Sequence, residues 1–359
     1  SSYPQPADVF FIAVPTPFSD NIDENGVPHP DLSYVESAAK SVAKHLKRGD
    51  LVILESTSPV GTTEMMAEWL STERPDLTFP QTHKDESDVR IAYCPERVLP
   101  GDIVEELISN DRVIGGLSKK CCKAATSVYE IFVEGNCIST DAKTAEMSKL
   151  TENASRDVAI AFANELSIIC DEVGINVWDL ISLSNLHPRV NILQPGPGVG
   201  GHCIAVDPWF IVSKTPEKTP LIHTARIVND SKPDWVIKKV KIALANFLKE
   251  NPKKSEKDIN IACYGLAFKP NIDDLRESPA LYIAKEIMRM HSGNVLLVEP
   301  HIKELPKEFN NVSLSDIDKA LSNADLHVML VDHEVFKGIM PIKGKIIDTK
   351  GIWRSALKD

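Results

Sequence analysis

The chain has 359 residues, enough for two or three domains with ample core, and its 43% hydrophobic and 25% charged residues are those of an ordinary globular protein. A net charge of −11 argues against nucleic acid or an anionic membrane as a partner, so a phosphorylated substrate would need its own local Arg and Lys. Seven cysteines, single apart from Cys121-Cys122, form neither a zinc pattern nor a disulfide framework, no apolar run is long enough to span a bilayer, and Ser1-Ser-Tyr-Pro-Gln-Pro6 is not of signal-peptide type; a metal-free protein of the reducing cytoplasm is expected.

The first 140 residues alternate strand and helix patterns. Val9-Phe-Phe-Ile-Ala-Val14, Leu51-Val-Ile-Leu54 and Val89-Arg-Ile-Ala-Tyr93 are short, β-rich apolar runs of the kind buried on both faces of a parallel sheet. A helix is predicted from about Asp31, with Leu32, Val35, Ala39, Val42 and Leu46 on one stripe and Gly49 as its stop; a second is predicted near Thr63 to Ser71. Polar residues close the three strands at Thr16, Thr57 and Glu96, where open parallel sheets bind their ligands; a cap or turn role competes for any one of them, but three in succession favour a shared crevice. From Asp141 to about Gly174 the pattern is one long helix, and a second spans Leu221 to Lys249, interrupted or kinked near Pro233. Strand patterns resume at Asn260–Tyr264, Val295–Val298, His327–Val331 and Lys345–Asp348, with a helix from Ser278 to Met290. The expected fold class is α/β: two Rossmann-like parallel-sheet domains joined by a central helical domain.

Gly196-x-Gly198-x-x-Gly201 has the spacing of a dinucleotide fingerprint but not its setting. Its lead-in, His187 to Pro195, is broken by proline at both ends, Pro208 is expected to stop any helix soon after, and Ser213–Pro220, where an acid should sit, reads as loop. The glycines lead instead to Cys203, either a thiolate nucleophile that they let a substrate approach or an inert core thiol. Lys149 and Asn153, four apart on one helix face, could bind an oxyanion or could be a solvated face.

Six segments together carry a resemblance: Ala13-Val-Pro-Thr-Pro17, Glu55-Ser-Thr-Ser-Pro-Val-Gly61, Cys94-Pro-Glu-Arg97, Ala145-Glu-Met-Ser-Lys-Leu-Thr-Glu-Asn153, Gly198-Val-Gly-Gly-His-Cys-Ile-Ala-Val-Asp207 and Phe268-Lys-Pro-Asn-Ile-Asp-Asp-Leu-Arg-Glu-Ser278. Over essentially its whole length the chain resembles the UDP-glucose/GDP-mannose dehydrogenase family. The resemblance implies a four-electron oxidation of a nucleotide-sugar C6 alcohol to a carboxylate with two NAD+. It implies residues 1–140 as part of an NAD-binding domain, 141–250 as a central helical dimerisation domain and 251–359 as a UDP-binding domain.

By the same resemblance Cys203 attacks the aldehyde, Lys149 and Asn153 stabilise oxyanions, and Asp207 and Glu96, with Thr57, handle protons and water. Val14, Pro15, Thr16, Thr57, Glu96 and Arg276 fall on the cofactor side, and Arg189, Asn191, Gly198, Gly200, Gly201 and Lys269 on the substrate side, with Arg189 reaching across a homodimer. Ala205-Val206-Asp207-Pro-Trp-Phe resembles the 2-acetamido-sugar branch, so UDP-N-acetylmannosamine is the first expected substrate and UDP-N-acetylglucosamine or UDP-glucose the alternative.

Family members open on a strand and a Gly-x-Gly-x-x-Gly turn, whereas this sequence starts just before what resembles the fourth strand of the NAD domain. That domain is therefore expected to be incomplete, and the chain expressed alone to be inactive. A cysteine hydrolase using Cys203 and a redox-inactive nucleotide-sugar binding module remain competing readings.

Overall fold

A computed structural model describes residues 4–24, 26–98, 103–309 and 312–353; Ser1 to Tyr3 of the N-terminal stretch lie outside them. In chain order the elements are β1 (Val9–Ile12), β2 (Phe18–Ile22), β3 (Pro28–Pro30), α1 (Ser33–Ala43), β4 (Leu51–Leu54), α2 (Thr62–Glu73), α3 (Pro80–His83), β5 (Arg90–Tyr93), α4 (Ile103–Ser109), β6 (Arg112–Gly116), α5 (Lys119–Tyr129) and β7 (Cys137–Asp141). There follow α6 (Ala142–Val173), α7 (Val177–Ser184), α8 (Asp207–Lys214), α9 (Pro220–Glu250), β8 (Asn260–Tyr264), α10 (Pro279–Met290), β9 (Asn294–Val298), α11 (Ile317–Asn323), β10 (Leu326–Met329) and β11 (Lys345–Asp348). The chain forms two compact units, 1–154 with 207–220, and 155–206 with 221–359.

The first unit is built on a five-stranded sheet of order β1-β4-β5-β6-β7, parallel except where β6 runs antiparallel to β5. All four residues of β4 are buried, because Val52 and Leu54 meet α1 and α2 on one face while Leu51 and Ile53 meet α5 on the other. That two-sided burial is why the strand reads as an unbroken apolar run. Helix α1 starts at Ser33 and ends at Ala43, short of the predicted stop at Gly49. The chain tightens there into i→i−3 bonds, His45 N to Val42 O and Leu46 N to Ala43 O, and Arg74 Nη1 donates to the carbonyls of Ala43 and Leu46. Leu46 stays buried without being helical.

Strands β6 and β7 and helix α5 stand where the sequence announced no element. Gly115 weakens the strand signal of β6, yet a Cβ there would lie 2.6 Å from that of Ala145, so the glycine lets α6 pack directly on the sheet.

The second unit holds a four-stranded parallel sheet of order β11-β10-β8-β9. Val236, Val240 and Leu244 of α9 and Ile283 and Ile287 of α10 cover one face, while α11, Phe336 and Trp353 cover the other. Ser278 caps α10 by accepting from Leu281 N, with Pro279 in the first turn. Helix α9 is a single helix through the buried Pro233, not an interrupted pair. Helix α6 runs on from the first unit into the second.

Candidate functional site

In the first unit the carboxyl ends of β1 and β4 are tied together. Val14 N donates to Ser56 Oγ at 2.8 Å, Ser56 Oγ donates to Val14 O at 2.7 Å, and Thr16 Oγ1 donates to Thr57 O at 2.6 Å. Val14, Pro15, Thr16 and Thr57 therefore form one rim at the end of the sheet where ligands bind. At the end of β5, Glu96 accepts from Arg97 N at 2.6 Å and from Arg112 Nη1 at 3.2 Å, and Arg97 pairs with Glu152 of α6. The Tyr93 hydroxyl, just upstream, is fully buried and has no hydrogen-bond partner among the described residues. Burial first, then the carboxylates of Glu146 and Asp207, push its ionisation well above the usual range.

Helix α6 presents Glu146, Lys149 and Asn153 at three- and four-residue steps, one face of a helix. Glu146 is fully buried; its carboxylate accepts from Gly61 N at 2.6 Å, Thr63 N at 2.8 Å and Thr63 Oγ1 at 2.6 Å, satisfying the first amides of α2. The loop from Thr57 to Gly61 is thereby fixed against α6. Asn153 Nδ2 donates to Asp207 Oδ2 at 2.5 Å, at the start of α8. Burial pushes the Asp207 carboxyl up to about 6, opposed by the bond from Asn153 and the charge of Lys149. Pro208 does not stop a helix, contrary to the sequence reading: it sits in the first turn of α8, where its missing N–H costs nothing. The stretch Ser213–Pro220 is likewise not all loop, since it contains the end of α8 and a 3₁₀ turn at Pro216–Lys218.

In the second unit the glycine-rich segment has neither a strand before it nor a helix within it, so the fingerprint spacing is not a dinucleotide turn. Gly196 N donates to Asn164 Oδ1 at 2.9 Å. A Cβ on Gly200 would lie 2.3 Å from Glu277 O and 2.7 Å from Pro279 Cδ; Gly201, at φ +83°, would press its Cβ to 2.8 Å from the Phe268 ring. The glycines thus let the loop lie flat on the 268–279 segment, and the loop ends on the exposed thiol of Cys203. Arg276 forks onto Asp274 at 2.6–3.0 Å, which raises the guanidinium's basicity further, with Cys203 among the neighbours acting the same way. Lys269, Arg189 and Asn191 are exposed.

Of the residues singled out by sequence, Val14, Pro15, Thr16, Thr57, Glu96, Lys149, Asn153 and Asp207 belong to the first unit. Arg189, Asn191, Gly198, Gly200, Gly201, Cys203, Lys269 and Arg276 belong to the second. Sequence reasoning passed over Ser56, Tyr93, Glu146 and Phe268. Glu146 stands one helical turn before Lys149, but its sequence setting is that of an ordinary helical glutamate. No described helix is long and apolar enough to cross a membrane.

Residues 1–133, 143–231 and 262–355 match the NAD binding, central and UDP binding domains of the UDP-glucose/GDP-mannose dehydrogenase family. A UDP-N-acetyl-D-mannosamine dehydrogenase of Yersinia pestis is 61% identical over 355 residues, 98% of this chain and 83% of the relative. An NDP-N-acetyl-D-galactosaminuronic acid dehydrogenase of Ralstonia nicotianae is 59% identical over 353 residues, 98% of this chain and 80% of the relative. Among solved structures, a UDP-N-acetyl-mannosamine dehydrogenase of Staphylococcus aureus matches with a TM-score of 0.81 at 42% identity, over 99% of this chain and 80% of that one.

Proposed function

The chain belongs to the UDP-glucose/GDP-mannose dehydrogenase family and is an NAD-dependent nucleotide-sugar dehydrogenase, and from that premise we propose that it oxidises the C6 alcohol of UDP-N-acetyl-D-mannosamine to the carboxylate. Family membership sets aside the cysteine hydrolase. The observation that carries the reading is the glycine loop of the second unit, lying flat on Phe268 and Pro279 and ending on the exposed thiol of Cys203. In this reading 1–140 serves NAD, 141–250 a homodimer interface and 251–359 the UDP moiety, in a cytoplasm that keeps the thiol reduced.

The rim of the first sheet fits the cofactor, since polar atoms crown the strand ends and the hydroxyl of Tyr93, the last residue of β5, is an orphaned buried donor. Val14, Pro15, Thr16, Thr57 and Glu96 would line it, and Arg276 would lie on the cofactor side. When bound, NAD supplies the hydride acceptor for each of the two oxidations.

Lys149 and Asn153 stabilise the oxygen at C6 as it gains negative charge. The Cys203 thiolate adds to the aldehyde carbon, and its sulfur leaves again when water hydrolyses the thioester; the net change is one alcohol and one water to one carboxylate and three protons, with two NAD+ reduced. Asp207 and Glu96, with Thr57, take the protons and place the water. Arg189 from a second copy, Asn191, Lys269 and the backbone at Gly198, Gly200 and Gly201 hold the sugar nucleotide.

The galacto-configured 2-acetamido sugar is the second reading, supported by the Ralstonia relative. The test offers the full-length protein UDP-N-acetylmannosamine, UDP-N-acetylgalactosamine and UDP-N-acetylglucosamine with excess NAD+ and follows NADH absorbance. Two NADH per N-acetylmannosamine nucleotide are expected; NADH from the galacto sugar alone would move the assignment to the second reading.

A further inference from the structure

At the carboxyl edge of the second sheet a buried acid and a buried histidine bind backbone rather than ligand. Glu299 follows β9, and its Oε2 accepts from Leu266 N at 2.7 Å, from Ala267 N at 3.0 Å and from His333 Nε2 at 3.0 Å, while Oε1 accepts from His301 N at 3.0 Å. His333 follows β10, and its Nδ1 accepts from Asn271 N at 2.9 Å, so its proton sits on Nε2. Asn271, held at φ +62°, in turn accepts at Oδ1 from Glu334 N at 2.8 Å. Both side chains of the pair are completely buried.

Four of these six bonds fall on one short segment, and a fifth joins Glu299 to His333. Leu266 and Ala267 are fixed by Glu299, Asn271 by His333, and between them stand Phe268, whose ring backs Gly201, and the exposed Lys269. Phe268 N also donates to Asp274 O at 3.1 Å and Ser278 Oγ to Leu266 O at 2.7 Å, but only the Glu299–His333 pair grips the segment on both sides of Lys269 among the described residues.

We propose that His333 and Glu299 are positioning residues for the nucleotide-sugar: they lock segment 266–271 so that Lys269 is presented to the substrate. The proposal rests on the reading of Lys269 as a substrate-side cation. Burial alone would raise the Glu299 carboxyl, yet the bonds from His333 and the backbone amides bring it below its ordinary value, which keeps the anchor charged throughout the neutral range.

Two substitutions cut the lock at different bonds. His333→Asn keeps an acceptor near the place of Nδ1 but cannot reach Glu299; His333→Gln reaches Glu299 but leaves Asn271 N–H unanswered. In the whole enzyme each is expected to raise KM for the UDP-sugar about tenfold, the size of one lost hydrogen bond, with kcat within about twofold and KM for NAD unchanged. A purely structural role would lower Tm without that selectivity. In a Lys269→Ala background neither substitution should raise KM further, because the cation they position is gone. Asn271→Gly, which keeps the backbone conformation and breaks the tie to Glu334, gives the same readout should a histidine variant not fold.

Folded His333 variants with unchanged sugar KM, while Lys269→Ala raises it, would overturn the inference alone. An unchanged KM for Lys269→Ala would overturn the reading of Lys269 and the inference with it, and fully additive losses in the double variants would overturn the coupling.

Discussion

Asn153 and Asp207, 54 positions apart, meet through one 2.5 Å hydrogen bond that ties the Lys149–Asn153 face of α6 to the first residue of α8. The bond spends the amide's N–H on a carboxylate that burial has already lifted to about 6. Asp207 therefore changes charge just below neutrality, where a general base is useful.

Two pH effects should follow from Asp207. As a base it must be ionised, so kcat is expected to fall on the acid side with an apparent value near 6; Asp207→Asn should lose that limb and about a hundredfold in kcat. In stability the sign runs the other way. The folded value lies above the ordinary 3.8, so ionisation destabilises the native state: the penalty is absent below about pH 4, grows through pH 6 and is complete above it. Melting curves at pH 4 and pH 8 should show Asp207→Asn gaining on the parent only at the higher pH. Equal differences at both would deny Asp207 its raised value.

Gly200→Ala tests why the loop is glycine-rich. The new Cβ would meet the Glu277 carbonyl at 2.3 Å, and backbone cannot step aside as a flexible side chain can. The expected cost is about 1–3 kcal/mol in stability, the range for forced overpacking, with a loss of at least about a hundredfold in kcat/KM as the loop lifts. Activity near the parent's would mean that the 268–279 segment yields easily.

Lys232 gives a third check. Its ammonium is buried, donates to Ser167 Oγ and lies 3.7 Å from the Trp235 ring centroid; burial brings its pKa down to about 7. Between about pH 7 and the ordinary 10.5 the unfolded chain holds a proton that the folded one has lost, so stability from this group rises with pH across that window. Lys232→Met should flatten the rise in Tm from pH 7 to pH 9. An unaltered slope would place the proton elsewhere.

What could be read from the sequence followed from burial on both faces. β4 announced itself because Leu51 to Leu54 are all apolar, and all four are buried. β6 and β7 did not: Gly115 and Gly116 dilute one, while Ser139, Thr140 and Asp141 leave the other polar. The sequence could also say that the glycine loop was no fingerprint, because prolines broke the required strand. It could not say that Gly200 and Gly201 were small for the sake of Phe268, 67 positions beyond Gly201, since that pairing exists only in three dimensions. Glu146 escaped for the opposite reason, being an ordinary helical glutamate by sequence and a buried cap for α2 by structure.

The sharpest prediction concerns Cys203. If its thiolate acts only after the first oxidation, Cys203→Ala should lose overall turnover by several orders of magnitude and still bind the UDP-sugar, because the groups that hold the nucleotide are untouched. Cys203→Ser should instead collect an ester, since an alkoxide leaves more slowly than a thiolate and hydrolysis becomes the slow step. Mass spectrometry of that variant, incubated with NAD+ and UDP-N-acetylmannosamine, should find a UDP-hexosaminuronyl adduct on the peptide with the introduced serine. Lys149→Ala should slow both oxidations, because an oxyanion forms at the same carbon in each. A Cys203→Ala enzyme that makes two NADH per sugar at the parent's rate would end the nucleophile assignment. The glycine loop would then deliver to the surface a thiol that the chemistry never uses.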